Sequence, residues 1–173
     1  MPILPFYGYL CRMKKSVSLS TWSFLLTCIV MGVFAGVSTW AWKNGMKAGG
    51  WILGGLLIIM LLAGLFYMPM SLKLTGNGLN INRALRIKTL PLAEIESVRL
   101  CAPTMGAKRI CGSGGFMGYW GWFSERDLGK YFAYYGKSSD CFLVRMKDGR
   151  QYMLGCKDAP EMVAAIQSKL KGE

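Results

Sequence analysis

The chain has 173 residues, room for one compact domain and some extra length, so a large multidomain enzyme is excluded. Hydrophobic residues make up 53% and charged residues only 17%, below the roughly 25% of soluble domains, and the mean hydropathy of +0.30 argues against a purely soluble protein. Histidine is absent, which removes Ser-His-Asp, Cys-His and HExxH chemistry, and the formal net charge of +12 points to anionic partners.

Residues 1–18 read as an N-terminal cytoplasmic tail carrying Arg12, Lys14 and Lys15. Residues 19–42 contain no charge, and about 20 apolar residues cross a hydrocarbon core of roughly 30 Å. This predicts a spanning helix with Trp22 at one end and Trp40 and Trp42 at the other, where indole suits the headgroup boundary. A cleaved signal peptide would be shorter and would end in small residues, so a retained anchor is expected. A second uncharged run over residues 51–68 follows a short connection and must return antiparallel, giving a membrane hairpin within residues 19–70. Pro69 stops it, because proline cannot continue the helix and pushes the preceding residue toward extended geometry. Gly32 and Gly36 form a GxxxG pattern, and Gly54, Gly55 and Gly64 add small positions for helix packing. More basic residues flank the outer ends of the two runs than the connection, which holds Lys43 and Lys47, so both termini are expected in the cytoplasm.

Residues 71–173 form the domain, and the pattern changes to short alternating runs separated by turn chemistry. Strands are predicted over residues 71–75, 79–82, 86–90, 97–101, 130–135, 141–146 and 151–154, with Gly76-Asn77-Gly78 and Asp148-Gly149 as tight turns. Asp158, Pro160 and Glu161 then suggest an N-cap with a capping box, and Met162, Val163, Ile166 and Leu170 make one apolar stripe of a closing helix. The predicted class is a membrane α-helical hairpin followed by a mainly-β domain with one helix. The six cysteines, Cys11, Cys28, Cys101, Cys111, Cys141 and Cys156, contain no CxxC pair. Reduced thiols are expected, and a Cys101–Cys111 bridge stays open.

These features resemble the bacterial pleckstrin-homology-like (PH-like) domains found fused to membrane helices. The resemblance covers residues 71–171 and rests on the strand series, on Leu90-Pro-Leu-Ala-Glu-Ile-Glu-Ser-Val98, on a Gly-aromatic run and on the Asp158-Ala-Pro-Glu161 helix start. It implies a bent seven-strand barrel capped by the C-terminal helix and a binding or assembly role without catalysis. The closely spaced basic signature of phosphoinositide-binding pleckstrin domains is not matched by Lys73, Arg83 and Arg86.

The Gly-aromatic run, residues 112–123, holds five glycines with Phe116, Tyr119, Trp120, Trp122 and Phe123. Two readings stay open: an irregular loop folded over the domain's own core, or aromatics that enter the membrane interface or pack on another protein. Lys108, Arg109, Arg126 and Lys130 flank it as candidate headgroup contacts, against the alternative of solvated surface charges. Nucleotide fingerprints fail on spacing, since Met117 and Tyr131 stand where glycines are required. The carboxylate pairs Glu94 with Glu96, beside a turn, and Glu125 with Asp127, around Arg126, read as surface groups in ordinary pairing with bases, leaving no catalytic residue, metal or cofactor predicted. The expected function is a non-catalytic, membrane-anchored module that binds proteins or self-associates. Anionic-lipid sensing is the alternative, and a thiol enzyme through Cys111 is a third. Expected partners are the bilayer and a second copy or another protein, not nucleic acid; the expected place is the cell (inner) membrane, multi-pass.

Overall fold

The computed structural model describes residues 13–171. The expected tail through residue 12, with Arg12 and Cys11, and the last two residues lie outside the described residues. Ser20 caps helix α1 (Thr21–Lys43) by accepting a hydrogen bond from the Ser23 N–H. The chain turns through residues 44–46 into α2 (Lys47–Tyr67), which begins four residues earlier than the expected span. The reason is local: Gly50 leaves room for the Trp42 ring, Ser38 Oγ donates to the Gly50 carbonyl at 2.9 Å, and Trp42 meets Trp51 edge to face. α2 stops at Tyr67, and Met68 is already extended before Pro69. A Cβ at Gly32, Gly36 or Gly55 would meet nothing within 4 Å, and at Gly54 only Ser38. The close approach between these helices is therefore at Gly50, not at the GxxxG glycines, while Gly64 admits Met117 from outside the pair.

Two sheets follow. The first has the order β1-β2-β3-β4, from β1 (Met13–Ser16), β2 (Pro69–Leu74), β3 (Gly78–Arg83) and β4 (Ile87–Pro91). The part of the expected tail that is described is thus a strand: Lys14 pairs with Lys73 and Ser16 with Ser71, so the chain enters this sheet before the helices and again after them. Alternation sets the faces, with Leu72, Leu74, Leu79, Ile81 and Leu90 inward and Lys73 and Asn80 outward.

The second sheet has the order β5-β9-β10-β8-β7-β6, from β5 (Ile95–Leu100), β6 (Lys108–Gly115), β7 (Gly118–Glu125), β8 (Gly129–Tyr135), β9 (Cys141–Met146) and β10 (Gln151–Gly155). β10 returns between β8 and β9, parallel to the former and antiparallel to the latter. All seven expected strands are present, but the seven-strand barrel gives way to two sheets of four and six. β1 is one addition; the others are β6 and β7, because the Gly-aromatic run is a β-hairpin and not an irregular loop. Gly112 faces Gly121 across it, both at φ near +120°, and a Cβ on either would strike the opposite backbone.

Helix α3 (Ala159–Lys171) closes the domain and buries Met162, Val163 and Ile166 against Phe142, Val144, Leu72 and Leu79 in the main core. The predicted capping box does not form. Asp158 adopts φ +55°, and both Asp158 and Glu161 instead bind Lys15 Nζ, which ties β1 to the helix start. These hydrogen bonds, Glu161 first, hold the Lys15 ammonium above the ordinary lysine value. A second cluster, with Tyr131, Ala133, Leu143 and Met153, lies on the other face of the six-stranded sheet. The segment after β5 covers it, held by buried Glu125, which accepts from the Thr104 N–H and hydroxyl and from Tyr131 Oη.

Candidate functional site

The domain ends of the helices, the tip of the β6–β7 hairpin and the first sheet meet at one place. The tip, residues 115–118, carries Met117 at φ +51°, with its N–H donating to Thr27 Oγ1 at 2.9 Å. The Met117 sulfur sits over Gly64, where any side chain would collide with it. Three residues further along α2, Tyr67 stacks on Trp120 with centroids 5.1 Å apart. Gly64 and Thr27 lie about 5 and 9 Å along their helices from the ends nearest the domain, at 1.5 Å per residue. The hairpin tip thus reaches alongside both helices, and the Ser20 N–H, donating to the Gly136 carbonyl, fixes the start of α1 to the end of β8.

This geometry distributes the five aromatics. Phe123 is in the second core cluster, Tyr119 stacks on Tyr135, and Trp120 packs against Tyr67. Phe116 lies at the docked tip, and Trp122, in edge contact with Phe132, is 43% exposed. The four basic candidates separate. Lys108 and Lys130 flank Ser124 in one row and Arg126 follows the end of β7, about 20 Å of strand from the docked tip. Arg109 differs, because its guanidinium lies back along β6 over Gly114, toward the tip.

The first sheet supplies residues that the motif search did not single out. No Asp or Glu precedes Glu94, so this sheet has cations and no anion. On its outer face Lys14 stands directly opposite Lys73, beside Asn80, whose buried Oδ1 has no donor among the described residues. These residues with Asn82 and Ile87 line a cavity of about 290 Å³. A neighbouring one of about 520 Å³ extends along Lys14, Asn82, Arg86 and Ile87 to Met70 and Leu85. Met70, Leu85 and Ile87 are 53%, 55% and 65% exposed. The β3–β4 turn carrying Leu85 lies at the end of α2, where Arg86 stands over the Phe66 ring and Arg83 over Tyr67. The signal for this surface in the sequence is the absence of acid before Glu94, not any spacing of lysines.

On the inner side Arg83 Nη1 is 3.4 Å from Tyr134 Oη, and Lys88 Nζ donates to Tyr152 Oη at 3.0 Å. Among the described residues, ion pairs join only Lys15 to Asp158 and Glu161, and Arg150 to Asp148. The five described cysteines are free. Burial pushes the Cys141 thiol far up and Cys156 up to about 12, and raises Cys101. These thiols are poor nucleophiles. Cys111 is exposed on β6 and makes no hydrogen bond among the described residues, which also hold no cluster of metal-binding side chains.

The family model for the bacterial PH domain matches residues 70–170, more than half of the chain. No curated protein and no solved structure matches it. The matched segment starts at β2 and ends within α3, so it takes in both sheets apart from β1, and leaves the helices outside. With the two-sheet domain, the closing helix and this match together, the chain belongs to the bacterial PH domain family.

Proposed function

We propose that the protein is a non-catalytic, membrane-anchored PH module, with α1 and α2 crossing the bilayer and both termini in the cytoplasm, that lays the outer face of its first sheet on anionic lipid. The anchor reading is supported by the helices' mean hydropathy of 1.9 and 2.2 and by their Phe24, Ile29, Ile52 and Ile59, which are exposed among the described residues. A core helix of a soluble protein would bury such residues. Orientation follows from Lys14, Lys15, Lys73, Arg83 and Arg86 at the domain end against Lys43 and Lys47 at the connection.

One observation carries the lipid reading: the acid-free face bearing Lys14, Lys73 and Arg86 with exposed Met70, Leu85 and Ile87 adjoins the end of α2. Cations there meet phosphates, and the apolar side chains reach toward the acyl boundary. The aromatic run has less to offer a free partner, since four of its five rings pack on the chain itself. The test is amide exchange of residues 83–87 in the full chain, in nanodiscs of phosphatidylcholine with or without phosphatidylglycerol. Slower exchange with the anionic lipid, reversed by high salt, is expected; equal exchange in both overturns the reading. The unpaired edge of β6, with exposed Ile110 and Trp122, favours a second reading, self-association. Protection of β6 that depends on protein density and not on lipid charge would turn the assignment to it.

A further inference from the structure

Between α2 and the β6–β7 hairpin lies a pocket of about 240 Å³. Met60 and Ala63 of α2 line one side, and Phe116, Gly112 and Trp120 the other, with Arg109 beside them. Met60 and Ala63 stand about 10 and 6 Å along the helix from Tyr67, at 1.5 Å per residue. On the anchor reading, that depth places the apolar walls where acyl chains begin.

Two residues that line this pocket carry donors without a partner among the described residues. Arg109 forms no ion pair among the described residues, and its side chain is laid along β6 toward the membrane end, with Nη1 3.2 Å from where a Cβ on Gly114 would stand. The Trp120 indole N–H is buried without an acceptor among the described residues, although its ring is held by Tyr67. A buried N–H of this kind costs free energy unless something accepts from it. An apolar slot with an unpaired guanidinium and an unpaired indole N–H fits an acyl chain that ends in an anionic group. The volume is below the roughly 300 Å³ at which pockets enclose a whole small ligand. Only the phosphate and the adjoining methylenes enter, and the remainder of the molecule stays in the bilayer.

We propose that this pocket binds one anionic phospholipid, its phosphate on Arg109 and the Trp120 N–H and its chain along Met60 and Ala63. The site is separate from the outer face of the first sheet and rests only on the placement of α1 and α2 in the bilayer. It holds one molecule in a defined position, whereas the sheet face meets many headgroups loosely.

Native mass spectrometry of the full chain, released from detergent after incubation with phosphatidylglycerol, phosphatidylcholine or oleate, tests it. One retained phosphatidylglycerol is expected, with little phosphatidylcholine. Arg109→Gln should lower the retained fraction about tenfold, the loss of one charge-assisted contact, while Arg109→Lys keeps most of it. Ala63→Leu fills the slot without changing charge and should also abolish retention; leucine is at home in an apolar helix, so folding is preserved. Equal retention of phosphatidylcholine, or retention unchanged in Arg109→Gln and Ala63→Leu, overturns the proposal. Retention of oleate in place of phosphatidylglycerol overturns the phospholipid assignment. An exchange difference at residues 83–87 that persists without a bound lipid would separate this failure from failure of the sheet contact.

Discussion

The two sheets share a core yet differ in charge. Every one of the nine acids falls at or after Glu94, so the six-stranded sheet, its loops and α3 carry carboxylates, while the four-stranded sheet has none of its own. Glu125 and Asp148 find partners within their own region, but the first sheet's cations do not. Lys15 borrows Asp158, just before α3, and Glu161 in its first turn, and Lys14 and Lys73 face each other with no anion between them among the described residues. Like charges directly opposite on neighbouring strands destabilise a sheet. The contrast teaches that this repulsion is an arrangement of surface, not of fold. It sits on the outer face next to the helix ends, where an anionic bilayer would relieve it.

The shared core is the stronger bond between the halves, and Phe142→Ala tests it. Phe142 is fully buried with Leu72, Leu79 and Met162, so its truncation should cost about 3–5 kcal/mol. Denaturant unfolding of the reconstituted chain should shift as one transition. Two separate transitions, with the first sheet unaffected, would show that the sheets are independent.

A smaller effect comes from the borrowed ion pairs. Because the Lys15 pKa is raised above its ordinary 10.5, its contribution is complete below that value and is lost as pH rises through the folded-state value. The stability difference between wild type and Lys15→Met should therefore be present at neutral pH and vanish in strong alkali. A difference that persists there would assign the effect to packing of the lysine stem.

The smallest effect sharpens the comparison most. Lys73→Gln removes one of the two opposed charges and should stabilise the chain by a few tenths of a kcal/mol at low salt, with nothing gained at high salt. The same change should weaken the anionic-lipid effect on residues 83–87. Destabilisation at low salt would mean that Lys73 has a favourable partner.

How much of this could be read in advance depended on where the information lay. The seven strands with alternating apolar residues and the Gly76–Gly78 and Asp148–Gly149 turns were legible because their pattern is local. β1 was not, since four residues ending at Ser16 acquire meaning only beside Ser71, beyond both helices. β6 and β7 were hidden by glycine, which lowers strand propensity wherever it occurs. Yet Tyr119, Gly121 and Phe123 alternate with Trp120 and Trp122, and that period of two was a usable signal. The early start of α2 was not legible because Gly49 and Gly50 read as part of the connection, whereas Gly50 lies in the helix and makes room for Trp42. Of the site, Arg109 was legible as a basic residue near the aromatic run, but its direction over Gly114 was not. Met70, Leu85 and Ile87 carry no motif and become a surface only through the turn's position beside Phe66.

The strand that precedes the helices also sets the order of events during synthesis. β1 emerges first and can find no partner until both helices have been made and β2 has followed them. On the anchor reading, its four residues must until then remain on the side of the membrane where β2 will appear. Once the Lys14–Lys73 and Ser16–Ser71 rungs form, the hydrogen-bonded ladder closes a loop of chain that contains the helical pair. The nascent domain therefore cannot complete its first sheet before both helices have been made, and on the anchor reading a chain whose helices fail to insert would leave the outer edge of β2 open to association with other chains.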